Sequence, residues 1–268
     1  MQKRFKLVIE YDGTHYHGWQ RQQDAPTIQG TIEAALKQIT RQNPSVIGSG
    51  RTDRGVHAQN QVAHVALDTQ LTGEVLKKGL NSLTPADIVI KDCRTVPDSF
   101  HARYGVSSKI YDYHILNQPT PTALLRRFTW HIRKKLDLAS IQEAMEVLRG
   151  THDFSAFEAT GSERSHPIRT ILNTCVTSRD QGSYVILTME GNGFLRCMVR
   201  NIVGTLLEVG VGKRTPQAFF EILESGDRSR AGATAPPHGL FLRTVKYEGD
   251  QSAEDAPEDA LVTLSPPF

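Results

Sequence analysis

Segments with a two-residue hydrophobic period alternate along the chain with segments of helical period, and this alternation limits the fold more than any other feature. Residues 5–11 place four side chains on one face of a strand, Phe5, Leu7, Ile9 and Tyr11. Residues 27–41 follow with an amphipathic stripe made of Ile28, Ile32, Leu36 and Ile39. A chain that interleaves the two periods is neither all-helical nor all-β.

The alternation continues to residue 247. Further strands are predicted at 61–67, 87–96, 109–117 and 240–247, with a hairpin over 170–190. Further helices are predicted at 73–82, 138–149, 198–209 and 216–223. Because hairpin-like neighbours argue against a wholly parallel sheet, we predict an α+β fold of two similar halves, residues 1–105 and 106–247, that meet at a cleft.

The charge is unevenly distributed along the chain. The net charge is only +2, but residues 248–268 carry six acidic residues and no basic ones, so the body before them carries +8. A basic body favours a polyanionic partner, although a solubilising surface charge explains it equally well. The acidic tail combines its charges with Pro and Ala and has little periodicity, so we expect it to be disordered.

Neither the N-terminus nor the cysteines indicate an exported or membrane protein. The N-terminal residues lead into an alternating pattern and not into an apolar run, and no segment is long and apolar enough to span a bilayer. The three cysteines, Cys93, Cys175 and Cys197, are far apart and lack metal-binding spacing. We therefore expect a cytoplasmic protein with free, buried thiols.

Residues 48–58, GSGRTDRGVHA, concentrate small, charged and titratable side chains between two predicted strands. A phosphate-binding glycine loop is one interpretation, but the Walker spacing is absent. A metal site made of Asp53, His57 and His64 is another, and a surface turn closed by an Asp–Arg pair is a third. The fourth makes Asp53 a carboxylate that the neighbouring arginines keep ionised, able to attack or to accept a proton.

The wider sequence resembles one family. GRTDRGVHA (50–58) is similar to the signature of the tRNA pseudouridine synthase I family, which usually has Ala where this chain has Arg54. Other blocks resemble that family in the same order, namely YDGTHYHGWQRQ (11–22), FHARY (100–104), KIYDYHI (109–115), GFLRCMVRNIVGTLLEVGVGK (193–213) and TAPPHGLFL (234–242). The resemblance covers residues 5 to about 247. It implies the pseudouridine synthase fold, in which each half is a mostly antiparallel sheet with helices on one face, and the cleft binds RNA.

The resemblance also implies roles for individual residues. Asp53 matches the catalytic aspartate, Tyr111 the tyrosine that contacts the target base, and Arg200 an arginine that pairs with the aspartate. Leu240, in the C-terminal block, is expected to contact substrate. Arg51 shares a side with Asp53 if the stretch is extended, and it is a candidate to fill the gap left by a flipped nucleotide or to grip its phosphate. Further RNA contacts are expected from Arg54, His57, Arg126 and Arg127.

The function implied is the isomerisation of uridine to pseudouridine at positions 38, 39 and 40 of the tRNA anticodon arm. The family works without a cofactor or metal and as a homodimer, so tRNA and a second copy of the chain are the expected partners. Two alternatives stay open. One is a non-catalytic RNA-binding protein with the same fold, and the other is a metal-dependent nuclease that uses Asp53 and His57.

Overall fold

The computed structural model describes residues 2–159, 161 and 166–248. Ten strands lie in these residues: β1 (Gln2–Tyr11), β2 (Ile47–Gly48), β3 (His57–Asp68), β4 (Ile88–Val96), β5 (Val106–Asn117), β6 (Trp130–Ile132), β7 (Gly150–Asp153), β8 (Ile168–Arg179), β9 (Tyr184–Gly191) and β10 (Leu240–Tyr247). Five α-helices accompany them: α1 (Ile28–Thr40), α2 (Gly73–Leu83), α3 (Leu138–Glu146), α4 (Met198–Gly210) and α5 (Pro216–Ser225). The predicted α+β class is confirmed. The predicted acidic tail lies outside the described residues except for Glu248.

The helices begin where the sequence provides caps. Four of the five have a side chain that accepts a hydrogen bond from a backbone N–H of the first turn, namely Thr27, Thr72, Asp137 and Thr215. Helix α4 differs, because it follows Cys197 in a left-handed conformation (φ 59°) without a side-chain cap. Within the described ranges, every helix is too short or too polar to span a lipid bilayer.

The strands form one continuous, mostly antiparallel sheet in the order β4-β1-β3-β10-β5-β9-β8-β7, with β2 beside β3 and β6 beside β5. Strand β10 is the last in sequence yet lies in the middle, parallel to β3 and antiparallel to β5. The predicted boundary at residue 105 falls between β4 and β5. The last strand therefore joins strands that come from either side of that boundary.

The buried core extends across the whole sheet. It includes large, fully buried side chains from both sides of β10, among them Phe5, Trp19, Tyr113, Phe154, Phe157 and Phe219. Helix α4 runs through this core with eleven of its thirteen residues buried. Its position is consequently fixed by packing, which sets the direction of the Arg200 side chain in its first turn.

A close backbone contact fastens residues 232–235 to α4. Gly204 has no side chain, and a Cβ atom there would lie 1.7 Å from the carbonyl oxygen of Ala233. The Gly232 N–H donates to Thr205 Oγ1 (2.9 Å), and the Ala235 N–H donates to the Arg200 carbonyl (3.0 Å). Only glycine permits this approach, so Gly204 is required to hold the segment that leads into β10.

Gly204→Ala is expected to reduce the free energy of unfolding by about 1–3 kcal/mol, because the added methyl group must displace a backbone carbonyl. The matched control is Gly79→Ala in α2, where the nearest atom is the flexible Cδ1 of Ile39 at 3.0 Å. That control should leave stability unchanged or raise it, since alanine favours helix. Urea denaturation measures both, and equal stability of the two variants would contradict the assignment.

Candidate active site

The junction of β3, β10 and β5 brings together the two sequence regions expected to carry chemistry. Phe241 and Leu242 of β10 pair in parallel with the first residues of β3, directly after the loop that contains Asp53. On its other edge, Leu242 pairs with Tyr111 of β5. The sheet thus places the loop and Tyr111 on either side of one central strand.

The Asp53 loop, residues 49–56, is held by many hydrogen bonds. The Thr52 carbonyl accepts a hydrogen bond from the Trp19 N–H (3.1 Å). The Thr52 hydroxyl forms a hydrogen bond with the Tyr11 hydroxyl (2.9 Å). Gln61 Nε2 donates to the Gly50 carbonyl at 3.0 Å. Gly55 has a φ of 76°, a conformation that glycine adopts without strain. These contacts fix the backbone on both sides of Asp53.

The carboxylate of Asp53 is gripped from α4. Arg200 Nη1 lies 3.2 Å from Asp53 Oδ2, and Arg200 Nε donates to the carbonyl of Ala235 at 2.8 Å. The guanidinium therefore has two anchors, which orient it towards the carboxylate. Asp53 forms this ion pair with a residue 147 positions away, and not with its neighbours Arg51 or Arg54. The interpretation as a surface turn closed by an adjacent arginine is thus not supported.

Cys197 is a second contact to the same carboxylate oxygen, and sequence reasoning assigned it no role. Its Sγ donates to Asp53 Oδ2 at 3.3 Å. Burial, and then the charge of Asp53, raise the pKa of the thiol to about 11, so it stays protonated and remains a donor. Both donors reach Oδ2, which leaves Oδ1 as the oxygen without a hydrogen bond from the described residues. The closeness of Cys197 to Arg200 in the sequence, three residues before it, is the signal that could have revealed this contact.

Tyr111 is buried beside the carboxylate. Its ring meets that of Phe194 edge to face, with centroids 5.0 Å apart. Burial raises the pKa of Tyr111, and the negative charge of Asp53 adds to the effect, so the phenol is neutral at physiological pH. Tyr113 shares the face but is fully buried, and its hydroxyl donates to the Pro236 carbonyl at 2.8 Å. Of these two tyrosines at a spacing of two, Tyr113 is therefore the one that serves packing.

Asp53, Tyr111, Cys197 and Arg200 line a cleft of about 1620 Å³. The described residues around it contribute eight Lys or Arg side chains and one carboxylate, that of Asp53. The lining includes all but one of the site residues expected from the sequence: Arg51, Asp53, Arg54, Tyr111, Arg126, Arg127, Arg200 and Leu240. Arg51 also donates to Gln20 Oε1 at 3.2 Å, at the exposed rim. The cleft is therefore strongly positive around a single negative group.

His57 is the exception, and the expected RNA contact through its side chain must be corrected. The ring is 1% exposed and stacks on Phe241 with centroids 4.7 Å apart. Its Nε2 donates to the carbonyl of Arg127 (2.9 Å), and its Nδ1 lies 3.0 Å from the Gly13 amide nitrogen. Strand β10 covers the ring, which the local sequence could not reveal. His57 consequently has a structural role, linking the Asp53 loop to the segment that carries Arg127.

The alternative metal site is not assembled. His64 is buried, accepts a hydrogen bond from the Ala102 N–H at 3.1 Å, and has its pKa lowered to about 4, chiefly by burial. His57 Nε2 faces the Arg127 carbonyl, and its Nδ1 lies beside the Gly13 amide and 3.1 Å from Asp12 Oδ1. Among the described residues, no group of three or more His, Cys, Asp or Glu side chains is placed to hold a metal ion.

Lys109 is another cleft residue that sequence reasoning missed. Its Nζ donates to the carbonyl of Ser49 at 2.7 Å and so ties β5 to the start of the Asp53 loop. Burial, and then the charge of Arg103, lower its pKa from 10.5 to about 8. Its position two residues before Tyr111, on the same face of β5, is a signal that was present in the sequence.

Comparison with known proteins agrees with the sequence motifs. Residues 7–105 and 144–248 match the family described as tRNA pseudouridine synthase. The chain belongs to this family. It is 47% identical over 245 residues to tRNA pseudouridine synthase A of Acetivibrio thermocellus, covering 91% of this chain and all of that protein. It is 44% identical over 241 residues to the enzyme of that name from a Thermoanaerobacter species, covering 90% of this chain and 98% of that one.

Solved structures resemble the chain more weakly. One is an H/ACA RNP bound to a substrate RNA containing 2′-deoxyuridine, which matches at 15% identity with a TM-score of 0.35. The match covers 77% of this chain and 44% of that one. This likeness is too low to support an argument, so the family membership rests on the sequence comparisons.

The pKa of Lys109 predicts a pH dependence of stability. Between pH 8 and 10.5 the folded state loses this proton while the unfolded state keeps it, so wild-type stability should rise with pH relative to Lys109→Met, by at most about 1.4 kcal/mol per pH unit. Below pH 8 the difference should be constant. Urea denaturation at pH 7, 8, 9 and 10 measures it, with the exposed Lys78→Met as control. A difference that falls as pH rises would contradict the burial of this charge.

Proposed function

We propose that the protein converts uridine to pseudouridine in tRNA, with Asp53 as the catalytic carboxylate. The observation that carries the proposal is a carboxylate, the one that the described residues contribute to a wide cationic cleft, held through one oxygen by Arg200 and Cys197. A polyanion binds readily in such a cleft. The arginines and lysine would repel positive charge that develops on the sugar, whereas the carboxylate would stabilise it. Membership of the tRNA pseudouridine synthase family supports the same conclusion.

The reaction breaks the bond between ribose C1′ and uracil N1 and forms a bond between C1′ and C5. The C5 proton is lost and N1 gains one, so the change is an isomerisation. Positive charge develops on the sugar when the bond breaks, and a carboxylate can stabilise that charge, add to C1′ or remove a neighbouring proton. Each role needs a free carboxylate oxygen. Because Arg200 and Cys197 both engage Oδ2, we assign Oδ1 to the substrate.

Tyr111 and Leu240 are proposed to hold the extruded uracil. A base that leaves the helical stack needs an aromatic or apolar partner, and both side chains line the cleft beside Asp53. The edge-to-face contact with Phe194 supports the Tyr111 ring and restrains its orientation. The neutral phenol can donate or accept a hydrogen bond but is not a phenolate base, so we assign removal of a proton to Asp53.

The remaining cations are proposed to bind the RNA backbone. Arg54, Arg126 and Arg127 are candidates for phosphate contacts. Arg51 is a candidate to occupy the gap that the flipped nucleotide leaves in the RNA. Recognition of the RNA by its shape and charge suits an enzyme that modifies several adjacent uridines. The assignment to positions 38, 39 and 40 of the anticodon arm follows from the sequence resemblance. A homodimer, a cytoplasmic location and catalysis without a cofactor are proposed on the same ground.

Asp53→Asn tests the role of the carboxylate, because it keeps the shape of the side chain and removes its charge. Tritium at C5 of uridine in tRNA should be released by the wild type in EDTA, and the variant should release none because the reactive carboxylate is gone. The matched control is Asp98→Asn, at an exposed position. Mapping of the product should place pseudouridine in the anticodon arm.

The same measurement separates the alternatives. A non-catalytic RNA-binding protein would bind tRNA tightly and release no tritium from either form. A metal-dependent nuclease would shorten the RNA, and EDTA would abolish that cleavage. Either result would overturn the proposal.

Arg200→Lys tests whether Arg200 positions Asp53. Lysine keeps the charge but cannot bond Asp53 and the Ala235 carbonyl together, so the carboxylate should lose its fixed orientation. We expect the single-turnover rate to fall about 10- to 100-fold, in line with a lost charge-assisted hydrogen bond. Arg149→Lys, whose partners are Glu146 and Asn173 outside the cleft, is the matched control. Equal rates for the two variants would show that Arg200 does not position Asp53.

A further inference from the structure

Tyr104 is the most exposed of the large hydrophobic side chains in the described residues, with 78% of its surface accessible. A single exposed aromatic ring is ordinary on a protein surface, so what singles out Tyr104 is its position beside the basic cleft and the way its ring is held. It lies between Arg103 and Val106, both of which line the cleft. The turn that carries it is therefore part of the cleft rim.

The ring of Tyr104 is held in place. It stacks on His101 with centroids 4.3 Å apart and an interplanar angle of 28°. His101 Nδ1 accepts from the backbone N–H groups of Arg103 (3.1 Å) and Tyr104 (3.2 Å), and the His101 carbonyl accepts from Gly105 (3.1 Å). The Ala102 carbonyl accepts from the Tyr247 hydroxyl at 2.7 Å. Because the ring is already ordered in the free protein, a ligand that stacks on it would lose little side-chain conformational entropy on binding.

Positive charge accompanies the ring. The guanidinium carbon of Arg103 lies 5.7 Å from the Tyr104 ring centroid. The charge of Arg103 also acts on Lys109, whose amine touches the Asp53 loop. A rigid aromatic face with a cation beside it suits a nucleobase together with its phosphate.

We propose that Tyr104, supported by His101 and Arg103, is a stacking site for an unpaired base of the RNA substrate, separate from the uridine that is isomerised. The site rests on the proposed function, since it takes the occupant of the cleft to be RNA. Bases in a duplex stem have no free face, so the ligand is a base from a loop or a strand end. Every base has an aromatic face, and the site tolerates any of the four.

Binding of tRNA in the Asp53→Asn background tests the proposal without requiring catalysis. Tyr104→Ala should weaken binding about fivefold or more, the usual consequence of losing one base stack, and Tyr104→Trp should restore it. The slope of log affinity against log salt should not change, because stacking releases no counterions. Arg103→Ala should instead reduce that slope. Phe220→Ala, which removes an exposed aromatic ring on α5 outside the cleft lining, is the matched control.

An abasic scan of the RNA then identifies the base. At one unpaired position, removing the base should abolish the difference in affinity between the Tyr104→Ala variant and its parent, since the two changes delete the same contact. Tyr104→Ala binding within twofold of its parent at every salt concentration, with an unchanged circular dichroism spectrum, would overturn the stacking site. Wild-type protein that forms no pseudouridine would overturn the proposed function instead, whichever way Tyr104 behaves.

Discussion

The pairing of β10 between β3 and β5 is the interaction on which the rest of the structure depends. Only two residue pairs join β10 to β3, yet they make one sheet from strands distant in sequence. The segment before β10 is fastened to α4 through Gly204 and Ala235, so the same strand is also tied to the helix that carries Arg200. Asp53, Tyr111 and Arg200 come from three separate elements, and this junction brings all three to one cleft wall.

Electrostatics at that wall are unusual because, among the described residues, the cleft has one negative group. Eight cationic side chains line the cleft with a carboxylate that is 31% exposed, and two donors restrain one of its oxygens. Such restraint lowers the reorganisation needed when charge develops on a substrate. The low-pKa lysine at 109 serves the same arrangement, since its amine fixes the start of the Asp53 loop from the strand that holds Tyr111.

Local periodicity predicted the principal helices and strands, because each buries one face whose spacing is visible in the sequence. Strands β2, β6 and β7 were missed, since two to four residues are too few to show a period. Family resemblance pointed to Asp53, Tyr111 and Arg200. Apart from the pairing of Arg200 with Asp53, which the resemblance implied, long-range contacts were not predicted: β10 covers His57, and Cys197 reaches Asp53 across 144 positions of the chain. The sequence pattern predicted the type of each longer element, but it did not predict where the elements lie relative to one another.

The most direct measurement is a crystal structure of the Asp53→Asn protein bound to a tRNA anticodon arm. We expect one uridine turned out of the stack against Tyr111, with its ribose C1′ beside the side chain of residue 53 and the RNA backbone along the arginines of the cleft. An anticodon arm bound elsewhere, or one whose uridines all stay stacked and distant from residue 53, would contradict it.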